Sequence, residues 1–471
     1  MDVLLNFVNY ILAFGAAVFV PLIMLAVGLL VRMKPSDAFI AALTLGVAFT
    51  GMNVLINFMT TAVTPAAQGL AEKTGVVLNT VDVGWPAMSA IAWAWPLGVL
   101  CFPLMIGINI IMLSAKLTNT LNVDLWNTWT KLFTAVLTYY LAKGAGFTDG
   151  ASIGVGFAAA AIQVVIELKL GDMWAPTVEK ITGIPNVTVP HCMTFTAIVL
   201  LPIELLLEKI PALENSSLDA KWLRSKIGIF GENAVMGLII GFVLGIVAYA
   251  DLQKALTLAV QAATAMQLFP MVSKLFSQAL SPISEYVGEF MRKRFRGRDL
   301  YIGLDWPITA GSNELWVTTV LLIPFELVWA IALVPVGNTV LPFASILNLS
   351  VGVSVLFLAG GNLVKMLIMG VVATPIYLMV STSFAPYATQ LARQFSPSAL
   401  AGIGDSATIA YATMEAPVFR WAAANGFSGN IIAGLVLVMF IGLFFLFCRV
   451  FKHRNKKINE QLHGSVEVAS A

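Results

Sequence analysis

Apolar runs about as long as a bilayer-crossing helix recur along the chain, at Ile11–Val31, Ile40–Met59, Leu97–Leu113, Val235–Tyr249, Val317–Val334 and Ile432–Val450. Polar residues gather mainly in the breaks between them. Runs of that length suit lipid, where a helix satisfies its own backbone donors and acceptors. With weaker segments included, about ten to twelve spans are expected, and the class is all-α and polytopic. The first run follows acidic Asp2 and continues to Val31, so it is expected to remain as a membrane helix rather than be removed as a leader.

Composition agrees with that pattern. The 471 residues are 59% hydrophobic and 11% charged, whereas a soluble chain carries about a quarter of its residues as charges. Mean hydropathy is +0.87. A net charge of +2 gives no reason to expect nucleic acid. The placement of basic residues is more informative: Arg32 and Lys34 follow the first run, Arg292, Lys293, Arg294, Arg296 and Arg298 share a loop, and Arg449, Lys452, Arg454, Lys456 and Lys457 form a tail. The positive-inside rule places all three clusters in the cytoplasm, with the N-terminus outside, the C-terminus inside and an odd number of spans, for which eleven fits best. Cys101, Cys192 and Cys448 lack metal-ligand spacing and are expected as free thiols.

Internal similarity suggests two copies of one unit. Asp37–Met52 (DAFIAALTLGVAFTGM) resembles Asp251–Met266 (DLQKALTLAVQAATAM), and Val83–Trp95 (VGWPAMSAIAWAW) resembles Leu304–Trp316 (LDWPITAGSNELW), in the same order. Ile198–Glu208 also resembles Leu321–Trp329, out of that order. The expected division is a first membrane repeat over 1–228, a second over 229–451 and a basic cytoplasmic tail over 452–471. An odd number of spans in the first repeat would invert the second. Four apolar stretches are interrupted by Pro, Gly and polar residues: Asp82–Ser89, Pro185–Thr196, Gly303–Asn313 and Gly360–Asn362. Irregular backbone at membrane depth survives where protein or a watery cavity satisfies it, so these are candidate re-entrant or broken segments lining a solute site.

No nucleotide loop, HExxH or dinucleotide fingerprint occurs, so no catalytic residue, cofactor or metal is assigned. The candidates are instead polar groups embedded in apolar surroundings, which are costly and usually functional. Asp305, in Gly303-Leu304-Asp305-Trp306-Pro307, can accept two hydroxyl hydrogens while Trp306 packs on a solute's carbon face. The same Asp can also cap the helix that begins at Pro307. Asp82 and Trp85 make the equivalent offer in the first repeat. His191, in Val189-Pro190-His191-Cys192, offers one donor and one acceptor, or packs at a helix start. Asn127 stands in a polar-aromatic patch with Asn122, Asp124, Trp126 and Trp129, which also suits an interfacial belt. Asn362 follows Gly360-Gly361, and Glu415 is expected to pair with nearby Arg420 at a helix end. The function these residues suggest is transport of a small polar solute.

Val81-Asp82-Val83-Gly84-Trp85-Pro86, Asn122-Val123-Asp124-Leu125-Trp126-Asn127, Ile184-Pro185 through Pro190-His191, Phe230-Gly231-Glu232, Tyr301-Ile302-Gly303-Leu304-Asp305 and Gly361-Asn362-Leu363 resemble the membrane-embedded IIC component of a bacterial phosphotransferase system. The resemblance is to the galactitol-type family, related to the ascorbate-type transporters, and covers most of the chain. It implies a multi-pass protein of the bacterial inner membrane, a homodimer whose core domain carries the solute against a scaffold domain in an elevator-like cycle. It also implies a cytoplasmic IIB partner, phosphorylated through IIA and HPr, that phosphorylates the solute. Two places depart from the pattern. Gly311-Ser312-Asn313 and Gly360-Gly361 stand where galactitol-type members often carry a histidine and a His-Arg pair, so galactitol leads and another polyol, a pentose or a hexose competes. The competing function is a proton- or sodium-coupled secondary transporter.

Overall fold

The structure, a computed structural model, describes residues 16–74, 78–124, 127–214, 232–294, 300–342, 344–400 and 408–469. Helices make up most of it: α1 (Ala16–Leu30), α2 (Pro35–Thr74), α3 (Gly84–Trp93), α4 (Cys101–Ser114), α5 (Thr128–Gly144), α6 (Asp149–Thr182) and α7 (Thr196–Leu207). After them come α8 (Asn233–Tyr249), α9 (Leu252–Arg294), α10 (Asn313–Ala332), α11 (Leu349–Ala359), α12 (Leu363–Phe395), α13 (Pro417–Phe427) and α14 (Ile431–Ala469). Among the described residues six helices are long and apolar enough to cross a bilayer, in α2, α6, α9, α10, α12 and α14. A seventh crossing results if α3 and α4, bent by 94° at their break, form one span. Four shorter apolar helices, Val20–Leu30, Cys192–Leu207, Gly237–Tyr249 and Leu349–Ala359, accompany them. The chain is thus an all-α polytopic membrane protein. An apolar surface suited to lipid and unsuited to water stands on α14, where Ile431, Ile432 and Val438 are 80%, 70% and 70% exposed.

Helix packing depends locally on small residues. Gly237, Gly241 and Gly245 recur every fourth position on one face of α8, and a Cβ at each would come within 2.9 Å of α9 backbone at Ala262, Leu258 or Ala255. Glycine lets the two helices approach to backbone contact, which replaces the hydrophobic drive that lipid cannot supply. α9 in turn meets α2 through an edge-on Phe49–Phe276 contact and α10 through Phe269 stacked on Trp316 at 3.4 Å between centroids.

All four interrupted segments fall where helices break. Six short strands are seated there or in equivalent breaks: β1 (Thr80–Asp82), β2 (Thr120–Asn122), β3 (Val187–Thr188), β4 (Tyr301–Gly303), β5 (Val340–Leu341) and β6 (Thr408–Ala410). They form two parallel three-stranded ladders, ordered β5-β1-β6 and β2-β4-β3. Thr80 pairs with both Val340 and Thr408, while Ile302 of β4 pairs with Leu121 and Val187. Exchanging β1 with β4, β2 with β5 and β3 with β6 converts one ladder into the other. Each ladder therefore has a central strand from one half of the chain and flanking strands from the other half. The ladders also satisfy the backbone of segments that are not helical, the condition for such backbone to persist away from water.

Candidate functional site

Three loops leave the carboxyl ends of β2, β4 and β3 together because the strands run parallel and in register. Asn109 of α4 clamps β2, donating from Nδ2 to Thr120 O at 2.8 Å and accepting from Asn122 N at 2.9 Å. Asp172 of α6 holds the approach to β2, accepting from Thr118 Oγ1, Asn119 N and Thr120 Oγ1 at 2.8, 2.8 and 2.9 Å. Gly303 at the end of β4 has no room for a side chain: a Cβ would lie 2.5 Å from Pro190 Cγ and 3.0 Å from Asn122 Cα. This close fit places the loops that carry Asp124 and Asn127, Asp305 and Trp306, and His191 side by side.

At their junction Asn127 donates from Nδ2 to Asp124 Oδ2 at 2.7 Å and accepts from Trp129 Nε1 at 3.2 Å. Asn127 also interacts with the Asp305 side chain, and the Asp305 and Asp124 carboxylates lie in one another's field. Asp305 Oδ1 accepts from Trp306 N at 2.7 Å and caps the short 3-10 turn Trp306–Thr309, with Pro307 in its first turn. The capping role is therefore present, and Asp305 and Trp306 remain half-buried while Asp124 and Asn127 are buried. Carboxylate and amide groups so arranged can accept and donate hydrogen bonds to a polyhydroxylated solute.

Behind this junction lies a charged network that the sequence did not disclose. Lys131 Nζ meets Glu167 Oε2 at 2.7 Å with both side chains 1% exposed. Gln163 donates to Glu167 at 2.9 Å and accepts from Thr134 Oγ1 at 2.6 Å. Arg420 of α13 reaches α5, donating from Nε to Thr134 Oγ1 at 3.0 Å and from Nη2 to Thr130 O at 3.2 Å. Its Nη1 bonds the main-chain O of Glu415 at 2.6 Å, and the Glu415 carboxylate instead accepts from Tyr411 OH at 2.9 Å. The expected side-chain ion pair between Glu415 and Arg420 is thereby corrected: the guanidinium is drawn across to α5. In the sequence Lys131 and Glu167 are charges in largely apolar stretches, a costly placement that could have marked them.

The remaining candidates are placed differently. His191 is buried; its Nδ1 accepts from Met193 N at 3.1 Å, which puts the proton of the neutral ring on Nε2. It lies within the fields of Lys131 and Arg420. Asp82, at the end of β1, accepts from Gly84 N, Ser345 N, Ser345 Oγ and Ala412 N at 3.2, 2.7, 3.0 and 3.1 Å. Those bonds tie together the loops of the other ladder. Trp85 is 36% exposed on α3. Asn362 caps α12, accepting from Lys365 N at 3.1 Å and donating to Leu213 O at 2.9 Å. The structure thus brings Asp305, Trp306, Asn127 and His191 to one ladder, Asp82 and Trp85 to the other, and Asn362 to a helix break beside the Lys365–Glu204 ion pair of 3.2 Å.

Comparison with known proteins gives consistent results. Residues 10–399 match the EIIC-GAT family, described as the sugar-specific permease component of a PTS system. A "Putative permease IIC component" of Escherichia coli (strain K12) is 31% identical over 446 residues, covering 94% of this chain and 98% of that protein. The "PTS system galactitol-specific EIIC component" of the same strain is 30% identical over 432 residues, covering 91% and 92%. The protein of that name from Escherichia coli O157:H7 matches with the same identity and coverage.

Proposed function

Because the chain belongs to the sugar-specific permease component family of the phosphotransferase system, EIIC-GAT, we propose that it translocates a sugar alcohol, galactitol first. Transport is coupled to phosphorylation of the solute by a separate IIB protein, a class of partner that the family implies. The observation that carries the solute reading is the Asp124–Asn127–Asp305 junction, seated at a break in the membrane helices with Trp306 beside it. Asp305 and Asn127 take the solute's hydroxyls, Trp306 covers its carbon face, and His191 supplies an Nε2 donor nearby. Asp82 and Trp85 belong to the same function through the second ladder, and Asn362 through the break between α11 and α12.

The strand exchange between the ladders supports reading 1–228 and 229–451 as two inverted copies. In this reading the small-residue bundle of α8 and α9 with α1 and α2 is the scaffold, and the polar junction moves against it in an elevator-like cycle. The protein is then a homodimer of the bacterial inner membrane, with its N-terminus outside and its 452–471 tail in the cytoplasm. Of the basic stretch 292–298, residues 292–294 end α9 and 295–298 lie outside the described residues. Its cationic side chains suit the same cytoplasmic face.

Uptake of labelled galactitol into membrane vesicles tests the proposal, with and without phosphorylated IIB and with an uncoupler present. Phosphorylated solute that accumulates despite the uncoupler is the expected result. Accumulation of unmodified solute that collapses with the ion gradient would instead identify a secondary transporter. Asp305→Asn is expected to abolish binding in purified protein that remains folded, and His191→Ala to weaken it.

A further inference from the structure

Glu415 follows β6, in the ladder opposite to that of Asp305, yet the two carboxylates are within one another's electrostatic reach. The direction of this side chain is fixed by its surroundings. Ala416, the next residue, has φ +52°, a left-handed conformation that a non-glycine residue adopts at a cost, and Pro417 then starts α13. Tyr411 OH holds Glu415 Oε1 at 2.9 Å. Arg420, the nearby cation, is spent on main-chain oxygens and Thr134. Glu415 Oε2 is left without a hydrogen-bond partner, although the side chain is only 5% exposed. A buried carboxylate oxygen in that condition is costly unless something supplies a donor.

The orphaned oxygen connects to the solute junction through aromatic rings. Tyr411 lies against Trp129 at 6.3 Å between centroids, and Trp129 Nε1 donates to Asn127, which in turn faces Asp305. A line of side chains thus runs from one carboxylate to the other, with rings between them and acceptors at both ends. A small polyol has the complementary chemistry: hydroxyl donors at its two ends and a carbon chain able to cover aromatic faces.

We propose that Glu415, set in place by Tyr411, is the second carboxylate arm of the solute site and selects polyols by the hydroxyls at the end opposite Asp305. The assignment rests on the solute reading of the Asp305 junction. It adds the residue that discriminates among solutes. Glu415→Gln keeps the shape but removes the charge and replaces one acceptor oxygen with a donor, so the arm rewards a terminal hydroxyl less.

Binding of galactitol, other hexitols, pentitols and 1-deoxygalactitol to the purified full-length protein tests this. In the wild type, losing one terminal hydroxyl is expected to weaken binding about tenfold to a hundredfold, the worth of a hydrogen bond to a charged group. In Glu415→Gln the galactitol to 1-deoxygalactitol ratio is expected to fall toward one, because the deoxygenated end can now face residue 415. A purely structural Glu415 would lower both affinities and leave their ratio intact, which would overturn the proposal. Tyr411→Phe, which keeps the carboxylate but releases it, is expected to reduce the ratio part of the way, and serves alone if the Gln variant does not fold. An unchanged ratio in Tyr411→Phe under those conditions would also overturn it. Wild-type affinity in Asp305→Asn would remove the underlying solute reading. Lost affinity there with an unchanged ratio in Glu415→Gln would remove this inference alone. A wild-type protein that binds none of these polyols would remove both.

Discussion

Lys131 and Glu167 show how side chains at membrane depth can be retained for placement. Each is 1% exposed, and their 2.7 Å contact offsets part of the cost of removing both charges from polar surroundings. Lys131 Nζ also donates to Asn127 O at 3.3 Å, so the pair bears on the loop that holds the Asp124–Asn127–Asp305 junction. Lys131→Met is expected to destabilise the protein by about 3–5 kcal/mol, because Glu167 is then left buried and unpaired. The double variant Lys131→Met with Glu167→Leu should recover much of that loss, a comparison made by thermal unfolding in detergent. Recovery of stability without recovery of solute binding would separate placement from mere tolerance. Asp305 and Trp306 stood out in the sequence as candidates because they lie between Gly303 and Pro307 in an otherwise apolar run, and Asn127 because it lies in a polar-aromatic patch with Asn122, Asp124, Trp126 and Trp129. Lys131, Gln163, Glu167 and Arg420 did not, since they stand on three helices: Gln163 and Glu167 pair within α6, but they reach Lys131 and Thr134, and Arg420 reaches Thr134, only when α5, α6 and α13 pack. The five-residue spacing of Glu415 and Arg420 suggested a local pair, and the tertiary pull of Thr130 and Thr134 prevailed.

Among the elements, the helices were readable and the strands were not. An apolar run of about twenty residues carries its own signal in length and hydropathy. A strand of two or three residues such as Val187–Thr188 has no period to detect, and its partner Ile302–Gly303 lies more than a hundred residues away. Length and composition support six or seven spans among the described residues, with four shorter apolar helices beside them, and the first expected run, Ile11–Val31, lies partly outside the described residues. One local motif was present in the sequence and became meaningful only in packing, the Gly237, Gly241 and Gly245 spacing. A Cβ at Gly241 would lie 2.8 Å from both Ala262 Cβ and Leu258 O, so no side chain shift alone relieves it. Gly241→Leu is expected to force α8 off α9 and cost at least about 1–3 kcal/mol, as overpacking does. The change should appear as a lower unfolding temperature with the far-ultraviolet helical signal retained before the transition. A variant as stable as the wild type would mean that α8 and α9 do not depend on this approach.

At the scale of the whole molecule the exchange of strands between the ladders makes a claim about membrane sidedness. If 1–228 and 229–451 are inverted copies, equivalent points in them must face opposite sides of the bilayer. The starts of α2 and α9 are such points, since the Asp37–Met52 and Asp251–Met266 similarity begins at both, and Ser36 and Gln253 are exposed there. Arg32 and Lys34 precede α2, so the positive-inside rule puts Ser36 in the cytoplasm and the inversion then puts Gln253 outside. Ser36→Cys and Gln253→Cys, made singly with Cys448 replaced by Ser, report this through a membrane-impermeant maleimide; Cys101 and Cys192 are buried. Gln253→Cys should be labelled in intact cells and Ser36→Cys only after the membrane is opened or in inverted vesicles. Labelling of both from the same side would refute inversion and leave the two ladders as a symmetry of strand pairing alone. Labelling from opposite sides but with the assignments reversed would keep the inversion and overturn the orientation drawn from the basic clusters.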